Sequence, residues 1–511
     1  SVGLLEAVTA REEAIFVDRS AVEHRAAVEP LSNYFVGRVK RDLRSGQTVL
    51  GAMVTSTHRA LSDAALAGRL RSAAYAGGVD FKHEWANRAW SAVGFVSSSS
   101  ILGEPQAITA AQRSSARYYD RPDAEHLTLD PTATSLGGYN ARLDVGKRAG
   151  LHWTGNVALT ATSPGYEIND LGFQTLADRR GISGSLNYAE YQPGSVFQQW
   201  NVNGSLGSRW NYGNDFLGST ASVGASGLLL NYWGGGFSLY HSFAGLDDRL
   251  TWGGPLARGL AETGFDASVY SDSREAWTGS GSTSFARDQA GGWRAFLGTD
   301  FGWRAASNWN VSVGPYLSRY HSEVQFLAAI ADPTAVSTYG NRYVFSDVSQ
   351  TSVGLNTRLN VTFTPNLALS VYAQPFVSSS GFGLPKELSA PRTLEFGRYG
   401  TDVGSLEYDA ETRSYRVDPD GGGPAAPFEI YNGNFNTRSL RGNAVLRWEY
   451  RPGSTLFLVW QQNRFDYLDA FGANPGSSSV GRFNLARDTR RLFGAAPDNI
   501  FMLKVNYWLN P

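Results

Sequence analysis

The feature that most limits what this chain can fold into is a two-residue hydropathy period carried over long segments. Leu355, Thr357, Leu359, Val361 and Phe363 fall on one face; Asn356, Arg358, Asn360 and Thr362 fall on the other. Thr364-Pro365-Asn366 reads as a turn. Leu367, Leu369, Val371 and Ala373 then alternate with Ala368, Ser370, Tyr372 and Gln374. A period of two is the strand period, and one apolar wall beside one polar wall is a half-buried sheet. The pattern recurs over 293–304, 309–317 and 440–450, where Phe296 and Val445 are apolar exceptions on the polar face. Near the start, Phe35, Gly37 and Val39 oppose Arg38 and Lys40.

A soluble sandwich also alternates, so length has to decide. These segments run to about ten residues or more, the length a tilted strand needs to cross a bilayer. Soluble strands average about 5–6. Aromatic residues close the apolar faces, as Trp448 and Tyr450 do before Arg451-Pro452-Gly453, where an interfacial girdle belongs. Composition agrees. Only 18% of residues are charged, against about 25% in soluble domains, while 57 glycines and 13% aromatics suit a curved, membrane-embedded wall. No apolar run is long enough for a transmembrane helix. The expectation is an all-β fold: a large transmembrane antiparallel β-barrel of about 20 strands with long extracellular loops.

Twenty strand centres can be placed: Leu5, Arg38, Gly51, Val79, Val93, Arg142, Val157, Leu186, Asn203, Gly224, Leu239, Ser268, Thr283, Thr299, Gly314, Leu355, Tyr372, Leu446, Val459 and Val505. Short turns such as Ala86-Asn87-Arg88 and Gln192-Pro193-Gly194 are expected at the periplasmic end. Long connections over 59–71, 102–134, 163–180, 247–263, 328–341, 383–436 and 469–499 are expected outside. Some intermediate turns do not sort between the two ends. Pro105 suits the first turn of a helix in the second of these loops, and 383–436 is long enough to fold over the mouth or into the lumen. The whole of 1–511 reads as one barrel domain. Ser1 to Glu6 holds no export signal, so a barrel here implies a removed signal or a longer precursor.

Several stretches resemble one family: Asn33 to Asp42, Gln112 to Tyr119, Asn169 to Gln174, Asp247 to Leu250 with Gly253-Gly254-Pro255, Arg438 to Asn443, Val459 to Gln462, and the ending Tyr507-Trp508-Leu509-Asn510-Pro511. Together they are similar to the uncharacterised bacterial outer-membrane barrel region that usually follows a domain like a family 9 carbohydrate-binding module. The resemblance covers nearly the whole chain. It implies a cell outer membrane location in a Gram-negative bacterium, with outer-membrane lipid and the barrel assembly machinery as partners. It supplies no catalytic motif, and the N-terminal periplasmic module is not in this chain. The alternating end, from Phe501 to Leu509, resembles a closing barrel strand, although Pro511 replaces the usual terminal aromatic.

Little chemistry of other kinds is legible. The 7 histidines do not pair at metal-ligand spacing, so neither a metal nor a cofactor is expected. Asp247-Asp248 with Thr251, and Asp418 with Asp420, offer oxygen ligands of the Ca²⁺ type, but turn carboxylates are the commoner use. His152 and Ser163 are near in sequence without any motif joining them, and Gly234-Gly235-Gly236 lacks the Lys of a phosphate loop. Catalysis is not expected, and a net charge of −1 asks for no nucleic acid. The candidates that remain lie on polar faces and are expected to face the lumen: Arg38, Lys40, Asp300, Arg358, Tyr372, Arg441, Arg447 and Glu449. Such charges either set solute selectivity or form a salt-bridged wall. Two functions follow: a porin-like channel for polar solutes, oligosaccharides among them, or a plugged barrel that displays loops or anchors a periplasmic domain.

Overall fold

The computed structural model describes residues 1–470 and 479–509. The main sheet contains 22 strands. Two are three-residue loop strands, Lys386–Leu388 and Phe396–Arg398; the other 20 form the wall of an antiparallel meander. Its pairing runs from Val2–Thr9 through Ser32–Leu43 and its successors to Pro497–Asn506, with register shifts mostly near strand ends, as at Glu449/Arg451. Each of the twenty predicted strand centres falls in its own strand. Val2–Thr9 and Pro497–Asn506 each pair along one side, and no pairing between them occurs among the described residues.

Residues paired directly across a sheet project to the same side, so the register can be followed around the wall. Arg38 pairs with Met53, Met53 with Gly78, Gly78 with Ser97 and Ser97 with Asn140. Continued to Lys504, this rule puts all eight lumen candidates on one face. Leu359, Val361, Leu446 and Phe501 lie on the other. The first face is polar. The second is an exposed apolar band that includes Val157, Leu186, Leu206, Val223, Leu239 and Leu297. A continuous apolar surface of this extent has to be covered, and hydrocarbon covers it. Phe296 and Val445, the two pattern exceptions, stay on the polar face, where Phe296 stacks on Tyr316 at 6.3 Å.

Two aromatic rows bound the band. Exposed Trp85, Trp90, Trp153, Trp200, Trp277, Trp303, Trp309 and Trp448 stand beside the short turns, with Trp277 and Trp303 stacked at 4.8 Å. The opposite row contains Tyr75, Trp210, Phe243 and Trp293. Tyr75, Trp210 and Trp293 each lie ten residues along the strand from Trp85, Trp200 and Trp303. A strand rising roughly 3.3 Å per residue and tilted about 40° gains roughly 2.5 Å of height per residue, so ten residues span about 25 Å. That is the height of the apolar band of an outer-membrane barrel.

The ends sort by alternation. At one end every connection has two to six residues, as at 86–89, 191–196 and 365–366. At the other lie 10–31, 60–72, 103–134, 163–178, 244–261, 332–340, 383–434 and 470–496, with two short members, 211–215 and 289–292. The unsorted turns were therefore short connections at the long-loop end. Pro105 does begin a helix, Pro105–Arg113. A second helix, Leu485–Gly494, and a three-stranded sheet over 405–431 were not legible. The strands Trp309–Ala331 and Asn341–Thr364, of 23 and 24 residues, run well past the band and support the loops. Residues 471–478 of the last loop, and Asn510 and Pro511, lie outside the described residues.

Leu359→Arg sets a charge in the outward band, between the midplane and the aromatic row of Trp303 and Trp309, and should cost about 1–3 kcal/mol. Asn360→Arg, one residue on but facing inward, should cost far less. Folding titrations into lipid vesicles measure both; equal losses would contradict this register.

Candidate functional site: the capped lumen

The inner wall changes chemistry around its circumference. From Arg179–Glu190 to Trp277–Asp288 it is rich in hydroxyls and amides, with Ser185, Asn203, Ser222, Ser226, Ser238 and Ser282 facing inward beside the charges Arg179, Arg209, Glu262, Asp266 and Asp288. Hydroxyls bond across strands, as Ser205 does to Ser222 at 2.7 Å. Part of this wall forms a groove of ≈ 480 Å³ whose lining includes Asn203, Ser238, Asp266 and Phe296.

The predicted charges divide. Arg38 forms a bidentate pair with Asp80 that arches over Gly51, where a Cβ would collide with both partners. Arg447 and Glu449 pair at 3.0 Å near the short turns. These are salt-bridged wall. Lys40, Asp300 and Arg441 have no ion-pair partner within 4 Å among the described residues. Arg358 stacks over the Tyr372 ring at 5.5 Å.

Three of the eight come together. Arg358, Tyr372, Asn443 and Gln461 are paired in one row across four strands. The adjacent row holds Asn356, Gln374, Arg441 and Asn463, with Gln374 Nε2 donating to Asn356 Oδ1 at 3.0 Å. A groove of ≈ 420 Å³ runs along Tyr372, Arg441, Asn443 and Gln461. Arg358, Tyr372 and Arg441 were named from sequence. The amides were missed as site residues, although each sits on a polar face; alternation shows the face but not which side chains adjoin. Lys40, Asp300, Arg447 and Glu449 lie elsewhere on the wall.

Above the lumen the long loops meet one another. Asp123 Oδ2, in 103–134, accepts from Leu256 N at 2.7 Å. Arg392 N, in 383–434, donates to Leu256 O at 2.6 Å, and its guanidinium reaches Asp215 at 3.1 Å. The 244–261 loop is thus tied to two loops that each rise six strands away in the meander. A flat sheet would hold them far apart, so these ties are also what shows the wall rolled into a barrel. The 163–178 loop turns inward onto the wall, with Tyr166 Oη at 2.8 Å from Ser97 Oγ and Glu167 N donating to Ser99 Oγ at 2.8 Å. Between this loop and the wall lies a cavity of ≈ 540 Å³ lined by Met53, Phe95, Ile168 and Leu171 beside the Arg38–Asp80 pair.

Buried ion pairs hold the cap. Asp248, only 4% exposed in its side chain, accepts Arg179 bidentately at 2.7 Å, with Arg121 and Arg249 at 3.6 Å. Glu167 holds Arg117 at 2.6 Å, and Asp170 holds Arg59 at 2.6 Å. Burial pushes the Arg249 guanidinium down to about 10 despite Asp248 beside it. The Nε–H groups of Arg117, Arg121 and Arg249 are buried without acceptors, each costing about 1–3 kcal/mol. The cap is therefore less well satisfied than the wall beneath it. The carboxylates once weighed for Ca²⁺ are engaged otherwise: Asp247 accepts two backbone N–H groups, Asp248 is taken by arginine, and Asp418 and Asp420 accept turn N–H groups. His152 and Ser163 stand at opposite ends of the strand Trp153–Thr162.

A polar-lined, apolar-jacketed wall of this height with loops gathered at one mouth defines a transmembrane β-barrel. The chain belongs to the family described as a domain of unknown function, DUF5916, whose model matches residues 1–510. No curated protein matches it. Among solved structures it is similar to the siderophore receptor PirA from Acinetobacter baumannii, at 8% identity and a TM-score of 0.35 over 85% of this chain and 73% of that one. It is also similar to the FrpB iron transporter from Neisseria meningitidis (F3-3 variant), at 10% identity and 0.37 over 93% and 79%.

Removing the carboxylate in Asp248→Ala leaves three guanidiniums facing one another and should loosen the cap by about 3–5 kcal/mol. Hydrogen exchange should quicken in 103–134 and 244–261 while the wall strands keep their protection. Acid acts at a second point. Burial alone would raise the Asp178 carboxyl, but His126 at 2.9 Å and the Tyr212 backbone N–H hold it below the usual range. A carboxyl lowered on folding stabilises above its unfolded value of ~3.9 and loses that contribution as pH falls through the lower folded value. Pepsin cleavage in 163–178 should therefore begin only below ~pH 4, and His126→Ala should move its onset upward.

Proposed function

We propose that this chain is an outer-membrane barrel that takes a neutral polar solute, a saccharide by its wall chemistry, into a lumen whose outer mouth is governed by the loop cap. The observation that carries this reading is the groove along Tyr372, Arg441, Asn443, Gln461 and Asn463, with Arg358, Asn356 and Gln374 continuing the same two rows along the wall. Planar amides and guanidiniums offer paired donors and acceptors to sugar hydroxyls, and a phenol ring offers a face to the sugar's C–H side. The wall from Ser185 to Ser282 offers hydroxyls and amides to such a solute, and its inward charges include Arg209, Glu262 and Asp266. Resemblance to barrels that follow a carbohydrate-binding module adds support. Location in an outer membrane is supported by the outward apolar band between two aromatic rows. The role is conduit rather than catalyst.

A second reading, a plugged barrel that displays loops or anchors another domain, is favoured by one observation: the loops are tied across the mouth through Leu256, Asp123 and Arg392. Planar-bilayer conductance separates the two. The wild type should conduct little and Asp248→Ala markedly more, with added maltohexaose blocking the opened current. Tyr372→Ala combined with Arg441→Ala should weaken that block about tenfold, equivalent to about 1.4 kcal/mol. An Asp248→Ala barrel that is folded, loosened in its loops and still silent would instead favour the plugged reading.

A further inference from the structure

The outward face carries a feature that solute transfer does not use. Arg287, at the long-loop end of Trp277–Asp288, pairs directly across the sheet with Trp293. Trp293 pairs on its other side with His321, and Arg319 stands two residues before His321 on the same face. The Arg319 guanidinium lies over the Trp293 ring at 5.8 Å. All three project outward, away from the lumen, by the register that puts Phe296 and Asp300 inside. Trp293 belongs to the upper aromatic row, ten residues from Trp303, so the cluster sits where the apolar band ends. Arg287 and Arg319 are exposed, and neither has a carboxylate within 4 Å among the described residues.

Other outward arginines near this height are engaged. Arg180 donates to Asn211 O and Asn214, Arg438 is buried between Asp466 and Asp488, and Arg464 donates to Phe493 O and Ala495 O. Two uncompensated guanidiniums flanking an indole on a lipid-facing wall match an anion held at the bilayer boundary. Guanidinium forks bind phosphate oxygens in bidentate fashion, and an interfacial tryptophan sets the depth.

We propose that Arg287, Trp293 and Arg319 form a binding site for a phosphate-bearing lipid headgroup in the leaflet at the long-loop end. This rests on the membrane-spanning reading above. A lipid fits better than a soluble anion because the site opens sideways from the wall at band height, rather than into the lumen or onto the loops. The positive charge attracts the phosphate, while acyl chains lie along the apolar strands below.

The test inserts the barrel into phosphatidylcholine vesicles doped with lipid A and measures co-retained lipid by native mass spectrometry after gentle detergent release. The wild type should retain lipid A in preference to phosphatidylcholine. Arg287→Gln with Arg319→Gln should reduce retention about tenfold at an unchanged folded-band position on unheated gels, and Arg287→Lys with Arg319→Lys should restore most of it. Folded double-Gln barrels that retain lipid A as the wild type does would overturn the site and leave the barrel reading standing. Displacement by inorganic phosphate alone would assign the site to a soluble anion and overturn the lipid assignment. Failure of the wild type to insert would overturn the membrane reading and the site with it.

Discussion

In hydrocarbon a backbone N–H or C=O has no water to turn to, so each has to be satisfied by another strand. Twenty strands in one antiparallel meander meet that demand everywhere but along the outer edges of Val2–Thr9 and Pro497–Asn506, which pair on one side among the described residues. The other properties follow from it. Pairing keeps neighbouring side chains on the same face, so a polar lumen and an apolar jacket can coexist on strands only one residue thick. The bilayer sets the span, and the ten residues between Trp303 and Trp293 record it. Charges such as Arg358 are tolerated because the same geometry turns them into water.

Wall and cap are stabilised differently. Backbone ladders and outward apolar contact hold the wall, with ion pairs such as Arg38–Asp80 added where wall chemistry allows. The cap rests on side chains: Asp248 among three arginines, Glu167 against Arg117, Asp170 against Arg59. Buried ion pairs barely repay their own desolvation, and several cap guanidiniums retain an unbonded N–H. A lid of that kind is specific in geometry yet modest in net stability.

Much of this was legible in advance. The strand centres, the two faces and the helix at Pro105 all followed from the chain, and even the exceptions held, since Phe296 and Val445 do face inward. Of the candidate site, Arg358, Tyr372 and Arg441 share one face of the sheet. Their convergence with Asn443 and Gln461 was not visible, because it depends on which strands adjoin and at what register. The helix Leu485–Gly494 was hidden inside a segment that local pattern marked only as a long loop.

By itself the sequence determined what depends on residues one or two positions apart: strand period, the face each side chain takes, and the turns that end each strand. Those properties are local because a strand's geometry repeats every two residues. Only the tertiary structure decided which loops meet. Arg249 reaches Ser115 O across 134 positions, and Arg392 reaches Asp215 across 177. No local pattern encodes such contacts. They exist because rolling the sheet brings distant strand ends to one mouth, where buried charges must find partners or pay for their desolvation.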